Sequence, residues 1–147
     1  MGFSSDELIE EWKRDSEIDP TNILRELART PSLHSKYLGY FMKSKEFLIK
    51  VEKKYNRMRW IKRKYFRGEL EKHELEQYGW SQWNGLKPSI SELNELFDSD
   101  RDLNNLMEEI KGWQALVQAL EYIMKQISQR DWGIKTMVEH SKYLNGG

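Results

Sequence analysis

The chain has 147 residues, 24 basic and 24 acidic side chains, no cysteine and 38% hydrophobic residues. That length suits one domain, or one domain with an assembly segment. A third of the residues are charged and no apolar run approaches the ~18 to 20 residues a transmembrane helix needs, which argues against a membrane span. The absence of cysteine excludes disulfide frameworks and thiolate metal sites.

In chain order, Ser4 followed by Glu7 reads as a capping box, and Leu8, Ile9 and Trp12 then share a helical side to about Asp15. Asp19-Pro20 looks like an N-cap with proline at the first helical position, opening a second short helix that ends near Arg29. Thr30-Pro31 repeats that signal, and a long third helix is predicted from there to Phe66. At 100° per residue its apolar side carries Leu33, Tyr37, Phe41, Leu48, Val51, Tyr55, Met58 and Tyr65.

Gly68 should close that helix. A short acidic helical piece from Glu69 to Tyr78 and a turn from Gly79 to Gly85 follow, and then a capped helix from Ser89 through Phe97. After a restart near Asp100, Leu103, Leu106, Ile110, Trp113, Val117, Leu120, Met124 and Ile127 keep a 3-4 spacing without interruption. This reads as a heptad seam for self-association in preference to an internal core. Asp131 and Gly133 should break it, leaving a last short helix through Ile134, Met137, Val138 and Leu144. No segment reads as a strand. The expected fold is all-α: N-terminal helices with one long basic helix, then a heptad-patterned C-terminal helix forming a homo-oligomeric assembly. The expected divisions are residues 1–67, a linker at 68–88 and residues 89–147.

Charge is unevenly placed. Residues 1–42 hold five basic and eight acidic side chains, residues 43–67 hold eleven and two, and residues 68–147 hold eight and fourteen. On the long helix Lys43, Lys50, Lys53, Lys54, Arg57 and Lys64 fall opposite the apolar stripe, while Arg59, Lys62, Arg63 and Arg67 spread charge around the helix end. Such a cluster repels itself, and a polyanion that sheds counterions on binding relieves the repulsion. Trp60, set among these cations, offers a π-face to an unpaired base. Single-stranded nucleic acid is the favoured partner; the alternative is a non-enzymatic interaction module whose basic helix docks an acidic protein.

Catalytic patterns do not assemble. His34, His73 and His140 are dispersed, and Gly79 to Gly85 with Lys87 and Pro88 fails the phosphate-loop pattern. No enzyme, metal or cofactor is expected. Trp12 and Trp113 suit core or seam positions, Trp132 should pack at the last helix junction, and Trp80 and Trp83 either fold the linker back or form a partner surface.

Four segments carry a family resemblance: Asp6-Glu7-Leu8 through Lys13-Arg14-Asp15 with Ile18-Asp19; Ser35-Lys36-Tyr37-Leu38; Lys64-Tyr65-Phe66-Arg67-Gly68; and Asp131 to Ser141 with Gly133-Ile134-Lys135. Together they resemble the UvsY family of recombination mediators of T4-like bacteriophages over nearly the whole chain. The resemblance implies a homo-oligomer, hexamer or heptamer, that binds single-stranded DNA through Arg57, Arg59, Lys62, Arg63 and Lys64 and self-associates through its C-terminal part. It also implies partners, the phage recombinase and the phage single-strand-binding protein, and a place in the cytoplasm of the infected bacterial host. Trp60 departs from the family pattern, as does the linker, so stacking by Trp60 rests on its own chemistry.

Overall fold

A computed structural model of the protein describes residues 4–146. Among them five helices form and no strand: α1 (Ser5–Ser16), α2 (Ile23–Phe66), α3 (Lys72–Tyr78), α4 (Ile90–Ser99) and α5 (Arg101–Leu144). None is long and apolar enough to cross a membrane. Local chemistry sets most of the ends. Ser4 and Glu7 complete the expected capping box on α1, Ser89 accepts from the Glu92 amide at the start of α4, and the Asp100 carboxylate accepts from the Leu103 amide, 3.0 Å, at the start of α5. At the end of α2, Gly68 takes a positive φ of 69°. Its amide bonds the Tyr65 carbonyl while that of Glu69 reaches back to Lys64, the paired bonds that satisfy a helix's last carbonyls.

Two expected helix breaks are absent. Asp19 instead ties a turn, accepting from the Thr21 amide and hydroxyl, and α2 then runs through Pro31 without interruption. Proline removes one backbone donor from the ladder, but the preceding turn is held from outside: Arg130 donates to the Glu26 carbonyl, 3.2 Å, and the Thr30 hydroxyl, 3.0 Å, and pairs with the Glu26 carboxylate. Likewise α5 continues through Asp131 and Gly133. Lys135 pairs with Asp131 at 2.9 Å, four residues apart, and Ile134 is fully buried, so packing on this stretch outweighs the weak propensity of Asp and Gly.

Compact units divide the chain differently from the expected blocks. One comprises Met1–Phe47 with Trp113–Gly147, the other Leu48–Gly112. In the first unit, Leu8 of α1, Leu33 and Tyr37 of α2, and Leu116, Leu120, Ile123 and Ile127 of α5 form the core. Polar ties fix α1 on it: the Asp15 carboxylate accepts from Lys36, 2.6 Å, and from the Tyr37 hydroxyl, 2.8 Å, and Glu11 pairs with Lys36 at 2.7 Å. Trp12 meets Tyr37 edge-on.

In the second unit, Phe66, Leu93, Phe97 and Leu103 make one cluster and Ile61, Leu70 and Leu75 another. The expected apolar side of α2 is the buried or half-buried one throughout; Leu33, Tyr37 and Val51 are its best-covered members. The linker folds back onto α2. Trp83 packs edge-on against Phe66, and Trp80 stacks on Tyr78 with ring centroids 4.6 Å apart.

Candidate nucleic-acid interface

Burying one side of α2 leaves its opposite side to water, and this is where the cations collect. In the second unit Lys50, Lys53, Lys54, Arg57, Arg59 and Arg63 are exposed, with Lys64 and Arg67 half-buried. Lys43 is also exposed but belongs to the first unit. Arg67 pairs with Glu69 at 3.1 Å, while Lys53, Lys54, Arg57 and Arg63 make no ion pair among the described residues. Of these cations, the Arg59 guanidinium lies 5.0 Å from the Phe97 ring centre and the Lys64 ammonium 4.2 Å from that of Trp60. Trp60 is 58% exposed, far more than packing would leave an indole.

Lys62 stands apart from the set expected on the cationic face. It is only 6% exposed, its ammonium 3.1 Å from the Asp100 carboxylate, 2.8 Å from that of Asp102 and 4.1 Å from the Trp80 ring centre. Burial alone would pull its pKa down, but the two carboxylates outweigh it and raise the pKa above the ordinary lysine value. With three partners and no open side, Lys62 is a structural tie between α2 and the start of α5, and the expectation that it faces phosphate is corrected.

Most of the expected heptad seam is covered within the chain. Leu103 and Ile110 of the second unit and Val117, Leu120 and Ile127 of the first are buried; Leu106, Trp113 and Met124 are partly covered. Trp113 stacks on Phe47, ring centroids 4.9 Å apart, and Met124 packs on the first unit's core. A 3-4 apolar spacing states that one side of a helix is buried, and here helices of the same chain bury it. Apolar side chains left exposed in the first unit lie elsewhere and include Leu24, Trp132, Met137 and Leu144. Trp132, expected to pack at a helix junction, is among them because α5 has no junction there.

Sequence reasoning missed a groove in the second unit. Asn56, Arg59, Trp60 and Arg63 of α2 and Ile90, Leu93, Asn94 and Phe97 of α4 line a space of about 420 Å³. Each quartet is spaced i, i+3, i+4, i+7, one face of its helix, but nothing local says that the two faces meet. Among the described residues, Glu71, His73 and Glu74 could approach a common cation; they lie at the start of α3, where Glu74 already accepts from the Glu71 amide.

The family model for the recombination, repair and ssDNA binding protein UvsY matches residues 11–147. The chain belongs to the UvsY family. Solved UvsY structures share its fold: crystal structures of the bacteriophage T4 recombination mediator protein UvsY in lattice types II and IV superpose with TM-scores of 0.83 and 0.81. The first is 21% identical and covers 99% of both chains; the second is 19% identical and covers 96% of this chain and 98% of the other. No curated protein matches the chain significantly.

Proposed function

We propose that this chain is a recombination mediator without catalytic activity. It binds single-stranded DNA as a homo-oligomer and helps load the phage recombinase onto strands covered by single-strand-binding protein, in the cytoplasm of the infected host. The observation that carries this reading is the cationic side of α2 in the second unit, with exposed Trp60 set among arginines and lysines, in a chain of the UvsY family.

Phosphates are met by Lys50, Lys53, Lys54, Arg57, Arg59, Arg63, Lys64 and Arg67, and the flexible lysines and forked arginines accommodate a backbone of any sequence. Trp60 adds stacking, which is indifferent to base identity. Self-association multiplies these contacts, because a strand held by one subunit meets the next at high effective concentration. With five of the eight heptad side chains buried in their own chain, assembly falls to apolar residues the first unit leaves open to water; Ile23, Leu24, Met137 and Val138 line one groove there, of about 610 Å³. Loading then needs only a difference in affinity for the altered and the protein-covered strand, with no nucleotide hydrolysis by the mediator.

The test is co-sedimentation of recombinase with single strands pre-covered by single-strand-binding protein. Added mediator should raise the bound recombinase, and the Arg57→Ala/Arg63→Ala variant should not. Equal stimulation by both would refute the assignment of this face.

A further inference from the structure

The groove between α2 and α4 has the chemistry of a nucleobase site, and we propose that it seats one unpaired base of the bound strand, edge-on to asparagine amides and beside Trp60. This inference rests on the proposed single-strand binding and deepens it, because a cationic helix alone would hold phosphates and leave bases unread.

Four observations converge. First, the floor is apolar and firm: Leu93 and Phe97 are buried at 7% exposure each, and both belong to the cluster that anchors α4 in the second unit. The Arg59 guanidinium already lies over the Phe97 ring, so a seated base would stack on that planar cation above the apolar floor. Second, Asn56 and Asn94 face the space from the two helices, and among the described residues neither side-chain amide has a hydrogen-bond partner. Each carries a donor pair and an acceptor, the combination that matches the edge of any base.

Third, the walls are cationic. Arg59 and Arg63 line the groove and no carboxylate does, and Lys64 lies over the Trp60 ring. The phosphates on either side of a seated base would therefore find positive charge at the rim. Fourth, the volume of about 420 Å³ falls within the range of small-molecule sites, roughly 300 to 1,000 Å³. Exposed Trp60 and Ile90 stand at its margins; water would be driven from both when a base enters.

The arrangement gives the strand a register that phosphate contacts cannot provide, since one nucleotide in each stretch is turned inward. The amides accept more than one pattern of donors and acceptors, so the site discriminates base from no base far more than one base from another.

The experiment compares two oligonucleotides of equal length and charge, oligothymidylate and a strand of abasic tetrahydrofuran residues, by fluorescence anisotropy with the full-length protein. Wild type should bind the thymidylate at least tenfold more tightly, in line with stacking worth ~1–3 kcal/mol per base. Asn56→Ala/Asn94→Ala and, separately, Trp60→Ala should each narrow that ratio several-fold while leaving affinity for the abasic strand and the salt dependence unchanged. Arg63→Ala should weaken both strands. A thymidylate preference that persists undiminished in the asparagine variant overturns the base site, whatever Trp60→Ala does, as does wild type binding both strands equally. In either case continued weakening by Arg63→Ala leaves the phosphate reading standing; if Arg63→Ala weakens neither strand, that reading falls as well. Asparagine variants that melt at the wild-type temperature exclude misfolding as the cause.

Discussion

The ammonium of Lys62 lies 3.1 Å from the carboxylate of Asp100, the residue that caps α5. A cation in the middle of a basic run is thereby withdrawn from the surface, while Arg63, its neighbour in sequence, is exposed. Lys62→Ala should destabilise the protein by about 2 to 3 kcal/mol, because it leaves the largely covered Asp100 carboxylate without its lysine. Arg63→Ala should cost under ~0.5 kcal/mol. The two should exchange ranks in DNA binding: Arg63→Ala lowers the salt dependence of affinity for single strands and Lys62→Ala, below its melting range, does not. Urea unfolding together with salt titration of oligonucleotide binding checks both halves.

Arg130 plays a comparable part in the first unit. It bonds the Glu26 carboxylate and carbonyl and the Thr30 hydroxyl in the turn that precedes Pro31. Glu26→Ala would leave the buried guanidinium without its carboxylate, and a loss of about 3 kcal/mol is expected. Pro31→Ala should act the other way, raising stability by about 1 kcal/mol or more, since the alanine amide can complete the helix ladder. Thermal unfolding followed by circular dichroism distinguishes the two signs.

Acid should loosen α1. Burial disfavours ionised Asp15, yet the hydrogen bonds from Lys36 and Tyr37 outweigh it and set its pKa below the ordinary carboxylate value. A depressed folded-state pKa contributes stability that is fully present above the unfolded value, about 4, and is lost as pH falls through the folded one. Asp15→Asn is therefore expected to be less stable than wild type at pH 7, with the gap beginning to close near pH 4 and vanishing only below the lowered folded-state pKa. A gap between the two proteins that stays constant from pH 7 to pH 3 would contradict this assignment.

Gly85 allows the linker to close over Trp83. A Cβ built there would fall 2.7 Å from the indole, closer than packing permits, and the ring is held against Phe66 and Tyr65. Gly85→Ala should lower stability by ~1–3 kcal/mol through that overlap. The shift should appear in the urea midpoint with no change in the slope of oligonucleotide affinity against salt.

What could be read from the sequence was chemistry confined to a few neighbouring residues. The caps at Ser4 and Ser89, the stop at Gly68 and the apolar side of α2 depend on spacings within one or two turns, which residue order alone displays. Pro31, Asp131 and Gly133 gave the same kind of local signal and failed, because Arg130 holds the turn before Pro31 from far along the chain and the burial of Ile134 holds the stretch around Asp131 and Gly133. The seam from Leu103 to Ile127 was legible as a buried side; which helices cover it was not, since 3-4 spacing is the same whether the partner is another subunit or the same chain. Lys62 looked like its neighbours because Asp100 and Asp102 lie far away in sequence. The groove at Asn56 and Asn94 depends on two helix faces meeting, and only the fold brings them together.

The central claim is that the exposed cations of α2 carry single-strand binding. Its most direct measurement is the slope of log affinity against log salt for oligothymidylate, wild type against Lys53→Ala/Arg57→Ala/Arg63→Ala, a variant that removes three surface charges and no ion pair. Each phosphate that the variant no longer neutralises should reduce the slope by about 0.7, so a fall of roughly 2 per protomer engaged is expected. An unchanged slope and affinity in the triple variant would contradict the account.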